Sequence, residues 1–285
     1  MSKANITSSL VSVQWLGENF NAENLVILDA SMKPIFAVAD SAPVDTTCIQ
    51  GARRFDFDDE VCDKSTGLPH MMPSAEVFTE KMQILGINKD SAIVAYDPAG
   101  IYSSPRTWWM FRAMGHRQVA VLDGGLPAWK KAGFPCGEAA EKIASTRGDF
   151  VAQPQEGLFC DSAHVLDVIN DSRFAILDAR SEGRFKGVEP EPRAGLRSGH
   201  IPNSISLPFA NVVVDGFLLP IPQLDSVFAQ RVNKDQQLIF SCGSGVTSCV
   251  DALAAELAGY SNISVYDGSW SEWGLEASGL PVVKD

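Results

Sequence analysis

Val121-Leu122-Asp123-Gly124-Gly125, followed by Trp129, Gly133 and Pro135, returns near the C-terminus as Val265-Tyr266-Asp267-Gly268-Ser269, followed by Trp273, Gly279 and Pro281. Asp123 and Asp267 stand 144 residues apart, and so do Trp129 and Trp273. Upstream, the run from Ala92 to Gly100 matches the run from Gln237 to Gly245, with Asp97 and Cys242 145 residues apart. Leu25-Val26-Ile27-Leu28-Asp29-Ala30 matches Phe174-Ala175-Ile176-Leu177-Asp178-Ala179 at a separation of 149. Insertions in loops produce such a drift, so the 285-residue chain reads as a duplication. The expected halves are residues 1–140 and 149–285, with a polar join around Gly137 to Gly148.

Within each half, short apolar runs lack a period-two alternation: Leu25 to Leu28, Ala92 to Ala95 and Val119 to Leu122, then Ala175 to Leu177, Leu238 to Phe240 and Ile263 to Val265. Such runs suit strands buried on both faces. Between them lie helical patterns, Thr107 to Met114 and Thr247 to Ala258, the latter with Cys249, Leu253 and Leu257 spaced by four. The expected fold class is α/β, in two tandem domains, each a mostly parallel sheet with helices on both faces. Trp129, Trp270 and Trp273 are expected to pack helices onto these sheets.

Hydrophobic residues make up 45% and charged residues 20%, which fits a globular chain with a sizeable core and excludes a disordered one. No apolar stretch approaches the roughly 18 residues of a membrane span, and Met1 to Leu10 lacks the apolar core of a secretory signal. The expected location is cytoplasmic, with no membrane partner. Twenty-three basic against 35 acidic side chains leave a net charge of −12, which repels a phosphate backbone and argues against nucleic acid. The six cysteines (48, 62, 136, 160, 242 and 249) include no C-x-x-C pair, so neither a metal site nor a disulfide scaffold is expected. Cys48, Cys62, Cys136 and Cys160 are read as lying in loops or near the join, without a redox role, and Cys249 as core.

Ligands of a parallel sheet bind beyond the carboxyl ends of its strands. Leu238 to Ser241 leads there into Cys242-Gly243-Ser244-Gly245-Val246-Thr247. Two glycines let successive N–H groups turn inward into an anion nest, and the helix that follows adds the positive end of its dipole. A thiol in that place has a lowered pKa, which makes Cys242 the expected nucleophile. The first half carries Asp97 instead, followed by Pro98, and is expected to be non-catalytic, with Asp97 capping a helix or lying in a domain interface. A cysteine phosphatase needs Cys-x5-Arg, and Ser248 stands where that arginine belongs.

A duplicated α/β domain with one Cys-led six-residue loop resembles the tandem rhodanese sulfurtransferases. Gly199-His200-Ile201-Pro202-Asn203-Ser204, Asp178-Ala179-Arg180, and Asp267-Gly268-Ser269 before Trp273 extend the likeness. The Cys-Gly-Ser-Gly-Val-Thr loop resembles the 3-mercaptopyruvate branch, since thiosulfate enzymes carry basic residues where this chain has Gly243 and Ser244. The resemblance implies transfer of the sulfur of 3-mercaptopyruvate through a Cys242 persulfide to a thiol such as thioredoxin, or to cyanide, with release of pyruvate and without a cofactor. It implies that Arg184 and Arg193 bind substrate, that Gly243, Ser244, Gly245, Val246 and Thr247 stabilise the persulfide, and that Asp58, His70 and Ser244 form a polar relay. Asp59 is an alternative to Asp58, because the loop around Gly67 and Pro69 lets the alignment slip. Arg180 and the remaining histidines, His116, His164 and His200, are read as structural. Two other readings stay open: a thiosulfate sulfurtransferase, and a persulfide carrier that turns over no small donor.

Overall fold

The computed structural model describes residues 2–32, 46–138 and 146–285; part of the join read between Gly137 and Gly148 lies outside them. The chain divides into two compact units. The first comprises Met1–Cys62, Met72–Gln155 and Asp215–Phe217, the second Asp63–Met71, Glu156–Val214 and Leu218–Asp285. A single cut in the chain therefore does not separate them, because the short segment Asp63–Met71 is grouped with the C-terminal half.

The first unit contains β1 (Leu10–Val11), β2 (Leu25–Asp29), β3 (Cys48–Ile49), β4 (Arg53–Arg54), β5 (Ala92–Tyr96), β6 (Val119–Leu122) and β7 (Cys136–Gly137). Five of them form a sheet in the order β1-β6-β5-β2-β4, parallel throughout, and β3 pairs with β7 apart from it. All five residues of β5 are buried, as its unbroken apolar run requires. Helices α1 (Val13–Asn19) and α4 (Gly125–Lys131) pack with Leu16 and Trp129 on the face that carries Ile27 and Val94. Helices α2 (Ala75–Ile84) and α3 (Ser104–Ala113) bring Phe78 and Phe111 together, ring centroids 5.2 Å apart, with Phe55 beside both.

The second unit repeats the plan. Its strands are β8 (Phe159–Cys160), β9 (Phe174–Asp178), β10 (Ile205–Ser206), β13 (Gln237–Ser241) and β14 (Ile263–Tyr266); β11 (Val213–Val214) pairs with β12 (Phe217–Leu218), and the segment Asp215–Phe217 is grouped with the first unit. The parallel sheet runs β10-β9-β13-β14-β8, the order of the first sheet read from its other edge. Helices α5 (Ser162–Val168) and α9 (Ser269–Trp273) cover one face through Val165, Trp270 and Trp273 over Ile176 and Ile239. Helices α7 (Ile221–Ala229) and α8 (Ser248–Leu257) lie with Phe228 edge-on to Phe240, while α6 (Glu182–Lys186) sits at the carboxyl end of β9. Among the described residues no helix is long and apolar enough to cross a membrane.

One correction concerns the cysteines. Cys48 and Cys160 lie in strands, not loops, and Cys136, at the edge of the join, is in a strand as well; strands of two residues are too short to leave a pattern in the sequence.

The duplicated Trp and Pro act as a pair in each unit. The indole of Trp129 donates to the Pro135 carbonyl at 2.9 Å, and that of Trp273 to the Pro281 carbonyl at 2.7 Å. Each therefore fastens the chain after its short helix against the core. Trp273→Phe removes ring volume and leaves a carbonyl without its donor, with an expected loss of about 2 kcal/mol in urea unfolding.

Candidate active site

Cys242 follows β13 directly and α8 begins six residues later, so the strand end and the helix start fix the loop at both sides. The helix after the Asp-Gly turn holds it from the flank: Trp270 N–H donates to the Cys242 carbonyl at 2.9 Å and Ser271 N–H to the Gly243 carbonyl at 2.8 Å. The first unit repeats the contact, with Leu126 N–H on the Asp97 carbonyl at 3.1 Å. Ser269 adds a tie that the first unit lacks. Its hydroxyl accepts the Cys242 N–H at 3.2 Å and donates to the Tyr266 carbonyl at 2.7 Å. To do so Ser269 takes a left-handed backbone, φ 48°, where the first unit has Gly125 at φ 51°. A residue with a Cβ is strained there, and the two hydrogen bonds offset that strain.

The Cys242 sulfur is buried, 2% exposed, at the focus of this loop. Burial alone would raise its pKa. The Thr247 and Ser248 hydroxyls and the N–H groups of Ser248 and Ser244 outweigh that effect and bring the thiol below its usual range. Cys160 shows the opposite balance, with burial pushing its thiol up to about 12, and burial raises Cys48 as well. Cys249 is buried in α8, its thiol donating to the Gly245 carbonyl at 3.3 Å.

The arginines separate into two roles. Arg180 has no exposed side-chain surface: it forms a fork with Asp178, reaches Glu191 at 2.8 Å and the Gly199 carbonyl at 2.8 Å, and stacks 4.0 Å from the Trp270 ring. Arg197 likewise ties down the carbonyls of Trp273, Gly274 and Leu280. Arg184 and Arg193 instead converge on the loop. A Cβ at Gly243 would stand 3.1 Å from Arg184 Nη2 and 3.8 Å from Arg193 Nη1. Glu191 aims Arg184, accepting from its Nε at 3.2 Å and Nη2 at 2.6 Å with only 2% of its side chain exposed. Ser181 caps α6, the helix that carries Arg184.

Ser244 is the junction of the polar groups. Its hydroxyl lies 3.0 Å from His70 Nδ1 and 3.4 Å from Arg193 Nη2. His70 is buried and has φ 63°, another side chain held in a strained backbone beside the sulfur. Asp58 and Asp59 belong to a turn of the first unit organised by Asp56, whose Oδ1 accepts both their N–H groups at 3.0 and 2.9 Å; Asp58 is half-buried and Asp59 exposed. The other histidines serve packing: His116 bonds the Ser91 carbonyl, His200 stacks on Phe185 and bonds its carbonyl, and His164 lies edge-on to Phe174.

In the first unit the corresponding loop is filled from within. The Asp97 carboxylate accepts the N–H groups of Ala99, Tyr102, Ser103 and Ser104 at 2.9 to 3.1 Å and the Ser104 hydroxyl at 2.8 Å. It caps the start of α3 from the position that matches Cys242 in the second unit.

Four residues of the site escaped the sequence reading: Ser248, Ser269, Glu191 and Asp251, the last fully buried in α8. Ser269 left a signal, as a Ser where the other repeat has Gly125. Glu191 sits among surface-like acidic neighbours, and nothing in its spacing reveals its burial. Among the described residues no cluster of His, Cys, Asp and Glu could hold a metal ion.

Comparison with known proteins identifies the family. A profile of the rhodanese-like domain matches residues 12–132 and again 162–276. The chain is 35% identical to human 3-mercaptopyruvate sulfurtransferase over 100% of its length and 98% of that protein's. It is 38% identical to rat thiosulfate sulfurtransferase over 93% of its length and 91% of that protein's. The fold superposes on the crystal structure of the 3-mercaptopyruvate sulfotransferase SseA from Escherichia coli with a TM-score of 0.81, at 34% identity, covering 93% of this chain and 100% of that one. With its two parallel α/β units, its Cys-led loop and these full-length relatives, the chain belongs to the rhodanese family, as two tandem rhodanese-like domains.

Proposed function

We propose that the protein is a 3-mercaptopyruvate sulfurtransferase. The observation that carries the substrate is the pair Arg184 and Arg193, aimed at Gly243 beside the Cys242 sulfur. Two guanidinium groups suit a keto acid, whose carboxylate and keto oxygen both accept hydrogen bonds. Gly243 leaves room for them where a side chain would displace Arg184.

In this reading residues 149–285 form the catalytic domain and residues 1–140 a non-catalytic one. The Cys242 thiolate attacks the donor sulfur, the carbon–sulfur bond breaks, and its electron pair leaves on the enolate of pyruvate. The donor's sulfhydryl proton ends on the methylene carbon, passing by way of Ser244 Oγ and His70, so that the enzyme is left as an anionic persulfide. The loop N–H groups from Gly243 to Thr247 hold that charge. A thiol such as thioredoxin, or cyanide, then removes the outer sulfur. The cytoplasm, a reducing compartment, suits the six free cysteines.

The decisive experiment exposes reduced protein to 3-mercaptopyruvate and, in parallel, to thiosulfate, and measures the mass of the Cys242 peptide and the pyruvate released. One added sulfur with catalytic pyruvate supports the proposal. Loading by thiosulfate alone selects the second reading, which the 38% identity to rat thiosulfate sulfurtransferase favours. Loading by neither selects a persulfide carrier.

Cys242→Ser is expected to lower turnover more than about a thousandfold, because an alkoxide is inaccessible at neutral pH. Arg184→Ala and Arg193→Ala should each raise KM for mercaptopyruvate by about tenfold or more, the loss of a charge-assisted hydrogen bond. His70→Ala and Asp58→Asn should lower kcat while KM holds, with Asp59→Asn as the neutral control. At pH 7 iodoacetamide should modify Cys242 while Cys160 stays intact, read by peptide mass; the lowered thiol pKa keeps Cys242 reactive at a pH where Cys160, at about 12, is fully protonated.

A further inference from the structure

Asp251 is the fourth residue of α8, and its side chain is fully buried. Neither of its carboxyl oxygens has a hydrogen-bond partner among the described residues. A bare buried carboxylate is costly, so such a group is held neutral or hydrated. Three charged groups act on it electrostatically: Cys242 in the loop, Asp178 at the end of β9, and Arg231 in the segment after α7. Burial first, then the negative charges of Cys242 and Asp178, hold the carboxyl well above its usual range, and Arg231 opposes them only in part. The Arg231 guanidinium also donates to the Val227 carbonyl at 2.8 Å.

Residues three apart share a helix face, which places Asp251 on the face of Ser248. The Ser248 hydroxyl is buried without a nitrogen or oxygen partner and acts on the Cys242 sulfur. A hydroxyl has one proton to give. Next to an ionised carboxylate, Ser248 would turn that proton away from the sulfur. Next to a carboxylic acid, it accepts a hydrogen bond and keeps its own proton for the thiolate.

We propose that Asp251 is a positioning residue of the sulfur site: as a neutral carboxylic acid it donates, through one buried water, to Ser248 Oγ, and so holds the Ser248 proton on the Cys242 thiolate and persulfide. A water that accepts from the acid O–H and donates to Ser248 Oγ would pair those two atoms, the usual way that buried polar atoms beyond direct bonding distance are linked. No covalent bond changes and no net proton is transferred. The inference rests on Cys242 being the reacting thiol, but alkylation tests it without any sulfur donor, so its failure is distinct from failure of the proposed activity.

The test is the pH dependence of Cys242 alkylation by iodoacetamide, read from the mass of the Cys242 peptide. D251N keeps a neutral donor and is expected to follow the wild type. D251L removes the donor and should raise the apparent thiol pKa by roughly half to one unit, slowing alkylation about three- to tenfold at fixed pH. In a Ser248→Ala background D251L should add nothing. A lowered pKa in D251N would show that Asp251 carries charge and overturns the proposal, as does a D251L profile identical to the wild type or an additive effect in the double variant. Infrared spectra of protein labelled with isotopic aspartate need no D251L fold: a protonated carboxyl band present in the wild type and absent in D251N is expected, and its absence from the wild type overturns the idea.

Discussion

Everything at the sulfur site depends on converging donors meeting one buried anion. Six residues separate the end of β13 from the start of α8, and the N–H groups of Ser244 and Ser248 act on the Cys242 sulfur. Donors packed that closely repel one another and cannot be solvated once buried, so the loop is stable only around negative charge. The lowered pKa of Cys242 is one result, and the left-handed backbones of Ser269 and His70 and the arginines beside Gly243 surround the same loop.

The site is also layered by charge. Arg180, fully buried, is neutralised by Asp178 and Glu191 and belongs to the framework. Arg184 shares Glu191 but retains 22% of its side chain exposed, so part of its guanidinium remains for a ligand. One carboxylate thus anchors a fully buried arginine and orients a partly exposed one. Such a shared partner makes the two hard to alter separately.

Much of the fold was legible in the sequence because its units repeat. The Asp, Trp and Pro at matching places mark the strand end, the core indole and the carbonyl it bonds, and apolar runs without alternation mark strands covered on both faces. Cys242 was legible for a related reason, since glycines in a strand-to-helix turn have few other uses. The grouping of Asp63–Met71 with the second unit left no local trace, because it depends on tertiary packing of a loop. Glu191 and Asp251 were hidden differently: an acidic residue reads as solvent-facing unless its burial is known. The cysteine strands were missed because two residues carry no periodicity.

Asp97 carries a consequence for how a duplicated enzyme can shed an activity. Four N–H groups close on its carboxyl group, so the first unit keeps the loop's architecture while the chain itself supplies the acceptor. A copy that merely lost its cysteine would inherit a ring of donors with nothing to hold. An acceptor built into the chain makes that loop a keystone of the first unit. In a duplicated fold, a loop shaped around a charged group thus persists as scaffolding where the chain fills it from within.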